Sequence, residues 1–195
     1  MALSGTNAFN LDVDEVIQEA FERCGLHARS GYDLKSARRS LNLLLAEWAN
    51  RGINLWTVEL RTQTLTASTT SYTLDSDLID ILEAVVYKAS DTTVDMEVDP
   101  MSRAEYLNIS KKSTEGTPTQ YYLLRGQSTP TLYIYPTPDA ADTFKYWGLT
   151  KIQDAGDYED ELDVPTRFLP CLTAGMAYYV SLKKSPDRTP MLKQL

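Results

Sequence analysis

The hydrophobic positions change their spacing twice along the chain, from a helical period to an alternating one and back again. A first stripe, from Val13 to Cys24, predicts a helix that Asn10 or Asp12 caps and Gly25 ends. A second stripe predicts a helix over residues 33–50, with Leu34, Ala37, Leu41, Leu44, Leu45 and Trp48 on its apolar side. Its polar side carries Lys35, Arg38, Arg39 and Glu47.

The middle of the chain has the alternating spacing of β-strands, with turn residues between the apolar runs. Strands are predicted at residues 57–66, 71–74, 81–89, 94–98, 120–125, 131–135 and 143–150. The runs 120–125 and 131–135 are expected to pair as a hairpin. Pro100 is expected to open a brief helix that carries Ala104, Tyr106 and Leu107.

An acidic segment separates the strands from a final helix. Residues 154–163 contain six carboxylates and no basic residue. Repulsion and the cost of desolvation should therefore keep this segment exposed as a loop. Pro165 suits the start of an apolar helix that continues to about Lys184, and Pro186 and Pro190 mark a polar tail.

This order of elements indicates an α+β protein, because the terminal helices can bury their stripes only against one another or against a sheet. We expect a helical bundle with a β-sandwich-like insertion. The expected domains are a helical bundle of residues 1–56 and 163–185, a β-rich domain of residues 57–162 and a C-terminal tail of residues 186–195.

The charge balance limits the possible partners. The 195 residues include 27 acidic and 19 basic ones, for a formal net charge of -8. Tight DNA binding is not expected, because it depends on Lys and Arg displacing counterions, but an acidic wall would repel DNA and keep a passage open. We expect no membrane span and no export signal, hence a soluble protein made in the cytoplasm.

Residues with catalytic or metal-binding chemistry are scarce. His27 is the single histidine, and Cys24 and His27 have the spacing of half a zinc site that only Cys171 could extend. We interpret His27 as a loop residue and both cysteines as small buried thiols rather than a disulfide. Nucleophile-elbow, phosphate-loop and zinc-peptidase motifs do not occur in the sequence. We therefore expect no catalytic residue, no metal site and no cofactor.

Two groups of residues leave alternatives open. The acidic segment could bind calcium or supply a carboxylate pair for glycoside cleavage, but a solvated charge run is the simpler interpretation. Aromatic residues that alternate along the strands suit stacking on sugars or bases, or packing in the core, which we favour. They are Tyr121, Tyr122, Tyr133, Tyr135, Tyr146 and Trp147.

Four blocks of the sequence resemble the adaptor proteins at the head-to-tail junction of short-tailed phages. They are SARRSLNLLLAEWANRGINLWTVE (36–59), SYTLDSDLIDILEAVVY (71–87), GTPTQYYLLRG (116–126) and TLYIYPTPDAADTFKYWG (131–148). The matching motif positions are Leu41, Asn42, Trp48, Tyr72, Leu74, Gly116, Pro118, Tyr135, Pro136, Pro138 and Pro165. The resemblance covers about residues 12–184 and includes no catalytic residue.

The resemblance implies a structural virion protein without enzymatic activity. It implies an adaptor ring, commonly of twelve copies, that binds under the portal, presents a surface to the next tail (nozzle) protein and continues the DNA ejection channel. The helices are expected to pack around the ring, and the β-domain to face outward or toward tail proteins. A tail-associated module that recognises a glycan or a protein is the alternative, and a glycoside hydrolase with carboxylates near Tyr158 is a third interpretation.

Adaptors of this family often dock on the portal through an extended C-terminal segment, whereas this chain stops at Leu195. Either the segment from Lys183 onward is a short version of it, ordered only against a partner, or the sequence is cut short, and we favour the first interpretation. Within it, Lys183, Lys184, Arg188 and Leu195 are the expected partner interface, with the cations facing acidic portal surface.

Overall fold

A computed structural model of the protein describes residues 9–28 and 30–193. The α+β class is confirmed, since these residues form five α-helices and two four-stranded sheets. The helices are α1 (Val13–Arg23), α2 (Gly31–Asn50), α3 (Arg103–Asn108), α4 (Leu169–Lys184) and α5 (Thr189–Leu192). The strands are β1 (Val58–Thr64), β2 (Ser71–Thr73), β3 (Leu78–Lys88), β4 (Asp91–Glu97), β5 (Asp99–Pro100), β6 (Gln120–Leu124), β7 (Thr131–Tyr135) and β8 (Thr143–Thr150).

The chain divides into two compact units. A helical unit consists of the described residues within Met1–Trp56 and Ile152–Leu195, and a β unit consists of Thr57–Lys151. The acidic segment belongs to the helical unit, because Ala155 and Leu162 lie in the same buried cluster as the helices. Leu192 near the C-terminus is also part of this cluster and is only 3% exposed.

The first helix begins and ends where its sequence predicts. The Asp12 side chain accepts a hydrogen bond from the Glu15 backbone N–H, and the Glu15 carboxylate accepts one from the Asp12 N–H, so the two residues form a capping box. At the other end Gly25 has a φ of 67°, and the Leu26 N–H reaches back to the Phe21 carbonyl. This left-handed backbone conformation favours glycine, because glycine has no Cβ.

The helical core forms where α4 packs against both α1 and α2. Ile17 of α1, Leu41 of α2 and Leu172 and Met176 of α4 are completely buried. The stripes that predicted α1 and α2 therefore meet the apolar helix α4, as the helical spacing requires.

The β unit contains two sheets, with strand orders β1-β8-β3-β4 and β2-β7-β6-β5. The predicted hairpin is confirmed, since β6 and β7 pair antiparallel with Tyr121 opposite Ile134. One buried cluster draws on both sheets, with Val86 and Phe144 from the first sheet and Leu132 and Ile134 from the second.

Two local predictions were wrong. Pro100 does not open the short helix but lies in β5, which pairs in parallel with β6. Helix α3 begins instead at Arg103, because Ser102 and Glu105 form a capping box that sets its start. Cys171 was expected to be buried but is exposed, because it lies on the side of α4 that turns away from α1, whereas Cys24 is buried. Both cysteines are free.

Candidate subunit interface

In the helical unit, the motif residues of the sequence blocks hold the acidic segment and the start of α4 in place. The Asn42 side-chain oxygen accepts a hydrogen bond from the Ala155 backbone N–H at 2.8 Å. The Trp56 indole donates one to the Asp163 carbonyl at 3.0 Å. Trp48 and Trp56 both contact the ring of Phe168, at centroid distances of 6.3 and 4.9 Å. These residues therefore have a structural role.

The motif residues of the β unit are structural as well. The Tyr72 hydroxyl accepts a hydrogen bond from the Thr66 N–H at 2.9 Å and lies 3.1 Å from the Thr69 carbonyl. The Gly116 N–H donates to the Thr137 carbonyl, next to the cis peptide bond before Pro136. These contacts close the loops between strands.

The predicted partner interface lies at and just after the C-terminal end of α4, and its two lysines already have partners within the chain. Lys183 donates to the Ser40 hydroxyl at 2.6 Å, and Lys184 forms an ion pair with Asp33 at 2.7 Å. Arg188 places its guanidinium next to Gly25, at the end of α1. The fourth residue, Leu195, lies outside the described residues.

Among the described residues, the candidate metal ligands and catalytic side chains do not form a common site. Within residues 9–28 and 30–193, no three His, Cys, Asp or Glu side chains are arranged to hold a metal ion. Burial raises the pKa of the Cys24 thiol, and the nearby Arg188 only partly opposes this effect. The Cys24 thiol donates to the Ala177 carbonyl at 3.2 Å, which joins α1 to α4.

The acidic segment is exposed but fixed to its own unit. The Val13 and Asp14 N–H groups donate to the carbonyls of Asp160 and Tyr158, so the start of α1 pairs with the segment. Arg38 donates to the Gly156 carbonyl at 2.8 Å and stacks over the Tyr158 ring. The side chain of Asp157 is 94% exposed, as expected for a solvated charge run.

A groove of about 640 Å³ lies between α1 and the start of α4. Its apolar surface comes from Phe9, Leu11 and Pro170 above the buried Leu169, and its acidic rim from Glu15, Glu19 and Glu22 of α1. Arg23 pairs with Glu19 at 2.8 Å, and among the described residues that line the groove no cation pairs with Glu15 or Glu22. None of the described residues that line the groove belongs to α2.

A second exposed surface lies on α2, where only Tyr32 has a partner, the Lys184 ammonium 5.7 Å from its ring centre, among the described residues. Six exposed residues follow one another at spacings of three or four, which places them on one face of the helix. They are Tyr32, Lys35, Arg39, Leu43, Ala46 and Asn50, and we call them the α2 stripe. Tyr32 and Leu43 are 73% and 55% exposed. Among the described residues, neither Lys35 nor Arg39 has an ion-pair partner.

Sequence reasoning identified the polar side of α2 but not which of its charges are paired. Arg38 and Glu47 bond within the chain, Glu47 to the Tyr179 hydroxyl at 2.6 Å, while Lys35 and Arg39 have no ion-pair partner in the described part of the chain. The groove was missed, because its walls come from segments about 150 residues apart. The spacing of Glu15, Glu19 and Glu22 on one helix face was the available signal.

The β unit carries a cluster of three half-buried tyrosines. The ring centroids of Tyr106, Tyr122 and Tyr133 lie between 5.0 and 5.8 Å apart. The Lys112 ammonium lies 5.3 Å from the centre of the Tyr106 ring, and burial raises the pKa of Tyr106. Of the other strand aromatics, Tyr121 and Tyr146 are buried in the core, while Trp147 is 43% exposed. Core packing therefore explains only part of the aromatic set.

The model of the SU10 adaptor protein family matches residues 11–194, which include the α2 stripe and every described groove residue except Phe9. No curated protein matches the sequence. No helix within the described residues has the length and apolar character needed to cross a bilayer.

Proposed function

Because the chain belongs to the SU10 adaptor protein family, we propose that it forms a ring that joins the portal of a phage capsid to the tail. The resemblance to phage adaptor proteins is confirmed, and the protein is a structural component of the virion. Family membership favours a role without catalysis. The match over residues 11–194 is the observation that carries the proposal.

The two unlike surfaces of the helical unit support the ring. A closed ring of identical subunits needs two different complementary faces on each subunit, so that every copy binds one neighbour on each side. The groove and the α2 stripe are two such faces. We interpret the helical unit as the bundle of such an adaptor and the β unit as its sandwich-like insertion, which presents a surface to the next tail protein.

The acidic balance of the chain supports a DNA channel. With a net charge of -8, copies around a common axis repel the phosphate backbone, so DNA passes without binding specifically. We propose twelve copies in the ring, in line with the family resemblance.

We further propose that the C-terminal end of the helical unit contacts the portal through Lys183, Lys184, Arg188 and Leu195. The ion pair of Lys184 with Asp33 and the bond of Lys183 to Ser40 hold the two cations at the surface. Each lysine ammonium has three N–H donors. An acidic portal surface can therefore accept a hydrogen bond from Lys183 or Lys184 while the bonds within the chain remain.

Imaging of the purified protein, alone and with portal, tests the proposal. We expect closed rings that stack coaxially on portal particles. The triple variant Lys183→Glu, Lys184→Glu and Arg188→Glu should form rings but lose portal binding. A chain that stays monomeric in the presence of portal would contradict the adaptor proposal itself.

The tyrosine cluster favours a second function for the β unit, recognition of a glycan. Stacked, half-buried aromatic rings beside a cation provide a surface for sugar rings. Saturable glycan binding that the double variant Tyr106→Ala and Tyr133→Ala abolishes would support this function. A glycan screen without any binding response would contradict glycan recognition by the β unit.

A further inference from the structure

We propose that the α2 stripe of one copy docks into the groove between α1 and α4 of the next copy. The inference rests on the proposed ring and names the surfaces that would build it. It assigns a partner to Lys35 and Arg39, which have no ion-pair partner among the described residues, and to the acidic rim of the groove.

The positions of the groove and the α2 stripe suit a contact that repeats from one copy to the next. Helix α4 lines the groove together with α1 and also packs against α2, and no described residue of α2 lines the groove. On α2, the stripe lies on the opposite side of the helix from the buried residues Leu41 and Trp48. The groove and the stripe therefore face in different directions, so a contact between them leaves a free groove on one subunit and a free stripe on the other. Such a contact propagates from copy to copy.

The charges of the two surfaces are complementary in sign and spacing. Lys35 and Arg39 lie one helical turn apart, as do Glu15 and Glu19, and Glu22 lies three residues further on. Residues at these spacings are about 5–6 Å apart on a helix surface. Lys35 and Arg39 can therefore face carboxylates of the rim when the helices pack side by side, with Glu19 shared between Arg23 of its own helix and the incoming cation.

The apolar residues of the two surfaces are also complementary. Tyr32 and Leu43 flank the two cations of the stripe, so the charged pair has an apolar neighbour at each end. In the groove, Leu11 and Pro170 provide apolar surface beside the acidic rim, and Phe9 is 66% exposed. Association would cover these side chains, and burial of apolar surface supplies most of the free energy of such contacts.

Charge reversal on each surface tests the pairing in the full-length protein. The stripe variant carries Lys35→Glu and Arg39→Glu, and the groove variant carries Glu19→Lys and Glu22→Lys. The control variant Arg103→Glu and Lys111→Glu makes the same change in charge as the stripe variant, but on exposed residues of the β unit. Circular dichroism and thermal unfolding establish that each variant folds.

We expect each single-surface variant to associate about a hundredfold more weakly than the unmodified chain, and the control variant to form rings. An equal mixture of stripe and groove variants should recover rings of alternating copies, because the stripe of each variant is opposite in charge to the groove of the other. A chain that carries all four reversals should recover rings, since its two surfaces are again opposite in charge.

These outcomes separate the inference from the ring proposal. If both single-surface variants form rings as the unmodified protein does, the pairing of stripe and groove is wrong while the ring stands. If the unmodified chain forms no ring either alone or with portal, the ring proposal is wrong. If the mixture yields no assembly although both variants are folded and monomeric, the contact is not between these two surfaces.

Discussion

The side-chain oxygen of Asn42 accepts a hydrogen bond from the backbone N–H of Ala155 at 2.8 Å, across 113 positions of the sequence. Asn42 lies in the middle of α2, and Ala155 lies in the acidic segment with only 5% of its surface exposed. The bond attaches that segment to the helical unit. It gives a physical reason for an asparagine at this position, where helix propensity alone would favour other residues.

Replacement of Asn42 by alanine should lower the free energy of unfolding by about 1–3 kcal/mol, because a buried N–H group loses its acceptor. Urea denaturation measures this change. The matched control is Asn50→Ala at the exposed end of α2, for which we expect a change below about 0.5 kcal/mol. Equal effects at both positions would contradict the role of the bond.

Phe168→Ala should destabilise the protein by about 2–3 kcal/mol, because the ring packs against both Trp48 and Trp56. The tryptophan emission of the folded variant should shift to longer wavelength, since water gains access to the indoles. Phe168→Leu keeps part of the apolar volume and should show a smaller change in both measurements. An unchanged emission spectrum for the alanine variant would contradict the packing.

The ion pair of Arg61 with Asp77 should make the free energy of unfolding depend on pH in the acidic range. Both terminal nitrogens of Arg61 bond the carboxylate, at 2.9 and 2.6 Å, and this holds the pKa of Asp77 below its ordinary value of 3.8. The ion pair therefore contributes its full stabilisation when the pH is above 3.8. That stabilisation is lost as the pH falls through the lower pKa that Asp77 has in the folded protein.

Asp77→Asn should accordingly destabilise the protein by about 1 kcal/mol at neutral pH, a small effect because the Asp77 side chain is 47% exposed. The difference from the unmodified protein should shrink as denaturation is repeated from pH 7 down to about pH 2. Asp139→Asn, at an exposed residue of the same unit, is the control. A difference that stays constant with pH would show that the ion pair contributes nothing.

Gly126→Ala should destabilise the β6–β7 hairpin by about 1–3 kcal/mol, because a Cβ at this position would overlap the Thr129 carbonyl oxygen. Thermal unfolding measures the effect. Gly31→Ala is the matched control, since nothing lies within 4 Å of the position its Cβ would take. We expect that variant to be as stable as the unmodified protein or more stable, by up to about 1 kcal/mol.

The two cysteines should differ in reactivity. Cys171 is exposed and should react with a maleimide in the folded protein, whereas Cys24 is 1% exposed and its pKa is raised by burial. Mass spectrometry should show one label per chain under native conditions and two in denaturant. In Cys171→Ser the native protein should take up no label. Rapid native labelling of that variant would contradict the burial of Cys24.

The family was predictable because its motif residues are local and lie in a fixed order. The candidate interface was only partly predictable. The exposed positions Lys35 and Arg39 follow from the period of α2, but the same period does not distinguish them from Arg38, whose guanidinium bonds to the acidic segment. The groove needed the structure, because Leu11 and Leu169 become neighbours only when α4 packs on α1.

Local physical chemistry by itself determined where most elements begin and end. The capping box of Asp12, the left-handed turn at Gly25 and the alternation along β6 and β7 depend on residues a few positions apart, so they can be recognised in the sequence. Tertiary structure decided the strand order, the exposure of Cys171 and the attachment of the acidic segment to α2. These features depend on contacts between segments that are far apart in the sequence. Such contacts stabilise the protein only once the chain has folded, so no local sequence pattern predicts them.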